Sequence, residues 1–434
     1  MTLRRFAWLI VLVLVVASCV QRESGPAQQT GASATQAFPK ELLVGAVYPL
    51  TGAQAPTGVD LKNGIDLAVE LINGGNKDFD LPLVKDGGGL KNLGGAKLKI
   101  VYADSQADPA KGQSETERLY TSENVVAVLG AYNSAVTQTA SQVAERLQKP
   151  FVNPESSSPT LVTRGFKWFF RSTPDDQMFI ENFFQFLTDV DKKFPGTVSK
   201  RVAVFNEDGL FGSDVNKFAR ELAPKYGFEV TTNVAYKATA PDLTSEVQRL
   251  KAAGAPILIE ASYLADATIA LKTMKQLDAN FQILAVDAGF VDTKFIPNLG
   301  KDAELWLSRE VWAKDLASQK ALVKQVNDLY RSKYGTDMNG SSARAFTGVF
   351  VLADAVNRAR SLEASKIQAA LRDTDVPGSQ IIMPWDGIKF DDRGQNTKGR
   401  GIIVQIQKGE YVTVWPFELA SKPLIWPIPT WSKR

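Results

Sequence analysis

Residues 42–73 read "LLVGAVYPLTGAQAPTGVDLKNGIDLAVELIN". The apolar and small run from Leu42 to Val47 predicts a strand buried on both faces. Leu61, Ile65, Ala68, Val69 and Ile72 then recur at helical spacing, which predicts an amphipathic helix. A buried strand followed by such a helix is the first half of a βαβ unit. The alternation continues. "KLKIVYAD" (97–104) is a second strand, with a helix near 109–121. "VVAVLG" (125–130) is a third, followed by a helix bearing Val136, Ala140, Val143, Ala144 and Leu147, and "PFVN" (150–153) is a fourth. This rhythm calls for a parallel sheet covered by helices on both faces. Residues 76–95, "NKDFDLPLVKDGGGLKNLGG", interrupt the first unit and read as a mobile surface insertion.

After a break near "RSTPDDQ" (171–177) the rhythm repeats. "RVAVFNED" (201–208), "PILIEAS" (256–262) and "QILAVD" (282–287) are short buried strands between amphipathic helices. One helix carries Leu243, Val247 and Leu250 and stops at Gly254, a C-terminal cap residue. Residues 316–335 and 342–361 read as further helices. Residues 401–415, "GIIVQIQKGEYVTVW", read as a hairpin turning at Lys408–Gly409.

The chain has 434 residues, 44% of them apolar, enough for two domains with their own cores. Its 50 Lys and Arg against 47 Asp and Glu leave a net charge of +3, two of which are Arg4 and Arg5. Such balance carries no electrostatic footprint for nucleic acid. There is no histidine, which removes Ser-His-Asp and Cys-His catalysis, His-ligated zinc and imidazole acid–base chemistry. With 47 acidic residues, carboxylate pairs arise by chance and point to nothing. No phosphate loop and no GxGxxG fingerprint occurs. The sequence therefore carries no motif for a catalytic nucleophile, a metal or a cofactor.

The N-terminus, "MTLRRFAWLIVLVLVVASC" (1–19), places two arginines before an apolar run from Phe6 to Val16, then small residues, then Cys19, the only cysteine. This is a secretory signal layout, its apolar run shorter than the roughly 20 residues a membrane span needs. "VASC" resembles a bacterial lipobox, which implies cleavage after Ser18, lipid on Cys19, and anchoring outside the cytoplasm at the cell or outer membrane. Residues 19–40 read as a flexible tether.

Ligands of open parallel sheets bind beyond the carboxyl ends of the strands. Here those ends are Asp104, Gly130, Asn153, Ser262 and Asp287. A helix opens near Ser134 after the third strand, and its first N–H groups favour an anion. "PESSSP" (154–159) offers hydroxyls at the end of the fourth. Ser134 reads equally as a helix cap, and Ser156 to Ser158 as a turn, but on neighbouring strands they favour a carboxylate site.

The segments "GAVYPLTGAQAPTG", "NGIDLAVELIN", "ADSQADPAKG", "LGAYNSAVTQTAS" and "PESSSPTLVTRGFKWFFR", then "FNEDGLFG", "EASYLAD" and "VDAG", resemble in order the leucine/isoleucine/valine-binding proteins, the type I solute-binding proteins of bacterial ABC importers. The resemblance spans about 41–400. It implies an α/β fold of two doubly wound lobes joined by three crossovers, expected near 174, 312 and 385. The first lobe would comprise 41–174 and 312–385, the second 175–311 and 386–434. It also implies a monomer that captures a small molecule, an amino acid or similar zwitterion, and delivers it to a membrane permease. A sensor of an amide, urea or aromatic carboxylic acid is the alternative. By resemblance, Ser134 and Ser157 reach the ligand carboxylate, Glu155 and Ser156 give mainly backbone contacts, Tyr263 faces the ligand from the second lobe, and Asp287 pairs with its ammonium. Two positions depart from the pattern. Phe211 stands where a tyrosine is common, and Thr57 where branched-chain binders carry an aromatic. The plainer alternatives are core packing for Phe211 and a loop cap for Asp287.

Overall fold

The computed structural model describes residues 38–434 apart from Asp86, Thr239 and Asp287. The expected signal peptide, Cys19 and the tether up to residue 37 lie outside the described residues, as does Asp287. Among the described residues no helix is long and apolar enough to cross a membrane.

Strand β1 (Glu41–Tyr48) pairs in parallel with β2 (Lys97–Asp104) on one side and β3 (Val128–Gly130) on the other. With β4 (Phe151–Asn153) and β5 (Phe169–Arg171) the first sheet runs β2-β1-β3-β4-β5, all parallel. Helix α1 (Ala55–Gly74) starts with Pro56 in its first turn, where no backbone N–H is needed. It buries Leu61, Ile65, Ala68 and Ile72, the stripe read from the sequence. Helices α2 (Pro109–Thr121) and α3 (Ser134–Leu147) cover the opposite face with Leu119, Val136, Ala140 and Val143. Gly45 is required there: a Cβ would lie 2.9 Å from both Leu119 and Val128.

The chain leaves this lobe over residues 172–175. Helix α4 (Asp176–Lys193), capped by Asp175 accepting from the Met178 N–H at 3.0 Å, opens the second lobe and buries Phe183, Phe184, Phe186 and Leu187. Strands β6 (Arg201–Glu207), β7 (Glu229–Tyr236), β8 (Ile257–Ala261), β9 (Gln282–Val286) and β10 (Leu307–Glu310) repeat the first order as β7-β6-β8-β9-β10. Helices α5 (Leu210–Leu222), α6 (Thr244–Ala253), α7 (Leu264–Gln276) and the short α8 (Phe295–Leu299) connect them.

A second passage, 311–320, returns to the first lobe. There α9 (Ala321–Tyr334), α10 (Gly340–Ala359) and α11 (Ala364–Arg372) complete the core. A Cβ at Gly64 would sit 2.2 Å from the Ser342 carbonyl oxygen, so that glycine lets α1 and α10 touch backbone to backbone. Strands β11 (Asp375–Pro377) and β12 (Gly387–Lys389) form a hairpin, with Ile388 and Phe390 in the first lobe's core. The boundary expected at 385 would cut this hairpin; the third passage instead spans 391–401. It runs beside β5, with the Arg171 N–H donating to the Gly394 carbonyl at 2.7 Å and the Asn396 N–H to the Arg171 carbonyl at 2.9 Å. Strands β13 (Ile402–Gln407) and β14 (Glu410–Trp415) then join β10 antiparallel, turning at Lys408 and Gly409, both at positive φ (56° and 74°).

The insertion at 76–95 differs from expectation. Phe79, Leu81, Val84, Leu90 and Leu93 are all buried in the first lobe's core. It is a packed flap whose glycines disguise its apolar content.

Candidate functional site

The strand orders β2-β1-β3 and β7-β6-β8 each reverse direction at the central strand, which opens a crevice at the carboxyl ends. The two crevices face each other. After β3 come Ala131, Tyr132 and Asn133, then α3. After β8 come Ser262 and Tyr263, then α7. The Tyr132 and Tyr263 rings meet across the lobes with centroids 5.6 Å apart, and Phe211 from the start of α5 lies 5.6 Å from Tyr263.

The loop "PESSSP" follows β4 and is no solvated turn. Glu155, Ser156, Ser157 and Ser158 are 4%, 2%, 6% and 0% exposed. Three adjacent buried hydroxyls need partners, and they diverge. Ser156 donates to the Ala131 carbonyl at 2.7 Å and lies 2.5 Å from the Thr137 hydroxyl, tying the loop to the β3–α3 turn. Ser158 donates to the Asp214 carboxylate on α5 in the other lobe. Ser157 faces the cleft, its hydroxyl beside Asp176. Arg171, fully buried, clamps the loop from behind, donating to the Ser158 carbonyl at 2.5 Å and to Gln395 Oε1 at 2.6 Å.

Five of the expected residues, Ser134, Glu155, Ser157, Phe211 and Tyr263, line one small cavity of about 20 Å³, together with Tyr132, Ala288, Arg309 and Arg344. That is room for about one water molecule. Ser134 is the first residue of α3; the cap position is Asn133, whose amide donates to Gln54 Oε1 at 2.8 Å. Ser134 Oγ accepts from the Ser158 N–H at 3.4 Å, which joins the two halves of the cradle.

Two expected residues do not line the cavity. The Ser156 hydroxyl is spent on the turn. Thr57, on α1, donates to Asp292 Oδ2 at 2.5 Å, a contact between the lobes. Nearby, Thr293 donates to Asp60 Oδ2 at 3.0 Å and Asn339 to the same oxygen at 2.9 Å. Burial, reinforced by the neighbouring Asp292 carboxylate, pushes Asp60 up to about 7. A further clasp joins Asp214 to Ser158 and to Thr160, the latter at 3.0 Å. The lobes are thus bonded to each other on either side of the aromatic contact.

Sequence reasoning missed Tyr132, Arg309 and Arg344. Tyr132 stands two residues before Ser134 and could have been found from the same strand-end argument. The arginines carry no local signal. Arg344 sits on α10, 3% exposed, its Nε 2.7 Å from Glu155 Oε2. Arg309, 2% exposed on β10, stacks with its guanidinium carbon 3.2 Å from the Phe179 ring centre and approaches Asp176 at 3.7 Å. Burial raises Asp176 to about 7 even with Arg309 beside it. The cleft therefore offers hydroxyls and helix-start N–H groups for a carboxylate, aromatic walls, and buried guanidinium groups.

The sequence profile of the periplasmic binding protein family matches residues 41–410. Among curated relatives, a Leu/Ile/Val-binding protein homolog 7 of Brucella abortus is 26% identical over 397 residues, covering 90% of this chain and 94% of the relative. The leucine binding protein of Thermotoga maritima, 21% identical, has the same fold with a TM-score of 0.73, over 87% of this chain and 99% of that one. An R. palustris solute binding protein in complex with benzoate, 14% identical, superposes with a TM-score of 0.72 over 86% and 95%. The match to the family over nearly all of the described chain, on a two-lobed fold with a cleft between paired strand ends, means that this chain belongs to the periplasmic binding protein family.

Proposed function

We propose that the protein is a lipid-anchored extracytoplasmic solute-binding protein that captures an amino acid or related small zwitterion between its lobes and delivers it to an ABC importer permease. The observation that carries this reading is the cradle: Ser134 at the start of α3 and Ser157 on the adjoining loop line one cleft with the rings of Tyr132, Phe211 and Tyr263. Neutral donors at a helix start suit a carboxylate, and the rings suit an apolar side chain. In this reading Asp287 meets the ammonium, and the importer partnership is supported by solved structures of the same fold that are described as ABC transporter solute-binding proteins. A cavity of about 20 Å³ is too small for an amino acid, so the solute enters only when the lobes part and is enclosed when they close.

A second reading is favoured by Arg309 and Arg344. Two guanidinium groups beside three rings also suit an aromatic acid that lacks an ammonium, and the R. palustris protein holds benzoate. A thermal-shift screen against amino acids, amides, ureas and aromatic acids tests both. Stabilisation by an amino acid but not by its des-amino analogue supports the first reading, and the reverse supports the second. A flat response across the whole panel refutes the proposal.

A further inference from the structure

Two lysines of the second passage meet different surroundings. Lys314 bridges Asp337 at 3.2 Å and Glu410 at 3.1 Å. Lys320, at the cap position of α9, forms no ion pair among the described residues. Its ammonium donates instead to the Gly378 and Met383 carbonyls, at 2.6 and 2.9 Å. Both belong to the connection between β11 and β12. Carbonyl dipoles do not cancel a charge, and a half-buried cation without a counter-ion is costly. Burial accordingly pushes Lys320 down to about 8, with no carboxylate opposing it.

This ammonium stands at the wall of a cavity of about 310 Å³, within the roughly 300–1,000 Å³ typical of small-molecule sites. Lys320 lines it, and so do Gly378 and Met383, whose carbonyls the ammonium bonds. Val323 and Trp385 add apolar surface from the first lobe. Leu419, on the tail that follows β14, adds more from the second, and Ser379 is exposed at the rim. Lys320 is the one charged residue among those lining the cavity. An ammonium has three N–H donors, so one remains after the two carbonyls are served. An occupant with one carboxylate and an apolar body would supply what the site lacks: a counter-ion for Lys320 and cover for the walls.

We propose that this cavity is a second ligand site, for a small apolar monocarboxylate that pairs with Lys320. A neutral occupant would leave the ammonium without a counter-ion, and a second charge on the occupant would meet only apolar walls. The site does not depend on what the cleft binds.

The test uses the full chain in detergent, labelled with ¹⁵N at its tryptophan indoles, with hexanoate as the probe and hexanamide as its uncharged counterpart. The Trp385 indole signal is identified as the one lost in Trp385→Phe, and it reports this cavity and not the cleft. Hexanoate should shift it saturably. Hexanamide should bind roughly 10-fold more weakly, the lower end for a hydrogen bond between charged groups because Lys320 is half-buried. Lys320→Met keeps the apolar stem, removes the charge, and should erase the difference between the two probes. Ser379→Phe, which fills the rim, should abolish the shift. A Trp385 signal unmoved by hexanoate up to its solubility limit overturns the proposal. Equal affinity of the wild type for hexanoate and hexanamide overturns it too, and that comparison needs no variant to fold. So does a shift that persists unchanged in Ser379→Phe.

Discussion

Removing the Asp214 carboxylate should loosen closure without touching the cleft. Asp214 is 6% exposed on α5 and accepts from two first-lobe hydroxyls, those of Ser158 and Thr160. Neither bond survives separation of the lobes, when water takes their place. A hydrogen bond to a charged acceptor nets about 1.5–3 kcal/mol. The Ser158 bond is fully buried and belongs at the upper end of that range, while Thr160 is partly exposed and adds less. Asp214→Ala should then cost closure about 3 kcal/mol, or roughly 150-fold in apparent affinity where the free protein is mostly open. Asp214→Asn keeps an acceptor and so retains about 1 kcal/mol, the value of a neutral bond, and should cost about 2 kcal/mol. Calorimetry with a ligand from the thermal-shift screen measures the affinity, and scattering with and without it measures closure. A double-mutant cycle with Ser158→Ala isolates the pair. If Asp214→Ala binds within twofold of the wild type while its melting temperature falls, the clasp serves folding and not closure, and the reasoning fails.

Other outcomes follow from the cleft and from the N-terminus. Ser134→Ala and Ser157→Ala should each weaken binding of a carboxylate ligand by about 1–3 kcal/mol, the cost of a desolvated partner left unpaired. Asp287→Ala should erase the preference for an amino acid over its des-amino analogue; equal preference in both proteins removes Asp287 from the ammonium site. Asp60 has its pKa raised by burial at the lobe interface, from 3.8 to about 7, so the closed form holds its proton more tightly than a solvated carboxyl does. Closure should therefore weaken as pH rises from about 4 to about 7. Asp60→Asn, compared by scattering over that range, should flatten the trend, and an identical slope in both proteins would exclude Asp60 as the source. Cys19→Ser should leave the chain without lipid, as read by mass spectrometry of the mature N-terminus.

Much of the fold is legible because apolar periodicity is local. The stripe on α1 and the turn at Lys408–Gly409 need no knowledge of the rest of the chain. Edge strand β7 is harder to read, since its residues 230–233 are only half-buried and its pattern resembles a solvated loop. At the site, strand ends point to Ser134 and Ser157 because each sits beside the strand that delivers it. Thr57 defeats the same reasoning, since its partner Asp292 is 235 residues away. Arg309 and Arg344 also resist it: an arginine in a strand or helix reads as surface until the crossovers carry both into the cleft. In the insertion, glycine and charge dominate the composition, while five apolar side chains decide where it packs.

The route of the chain between lobes bears on how the protein is built during synthesis. A growing chain that has reached residue 310 possesses every strand of the first sheet, but the face carrying Leu61, Ile65 and Ile72 still lacks α10, against which α1 packs. It has also made five strands of the second sheet, whose β10 edge stays open until β13 arrives. The first lobe closes only on residues 321–390, made after five strands of the second have emerged, and the second closes only on 402–415. Assembly is thereby deferred to late translation: fragments halted before residue 320 should yield no resistant half, whereas one halted near residue 401 should yield a resistant first lobe alone.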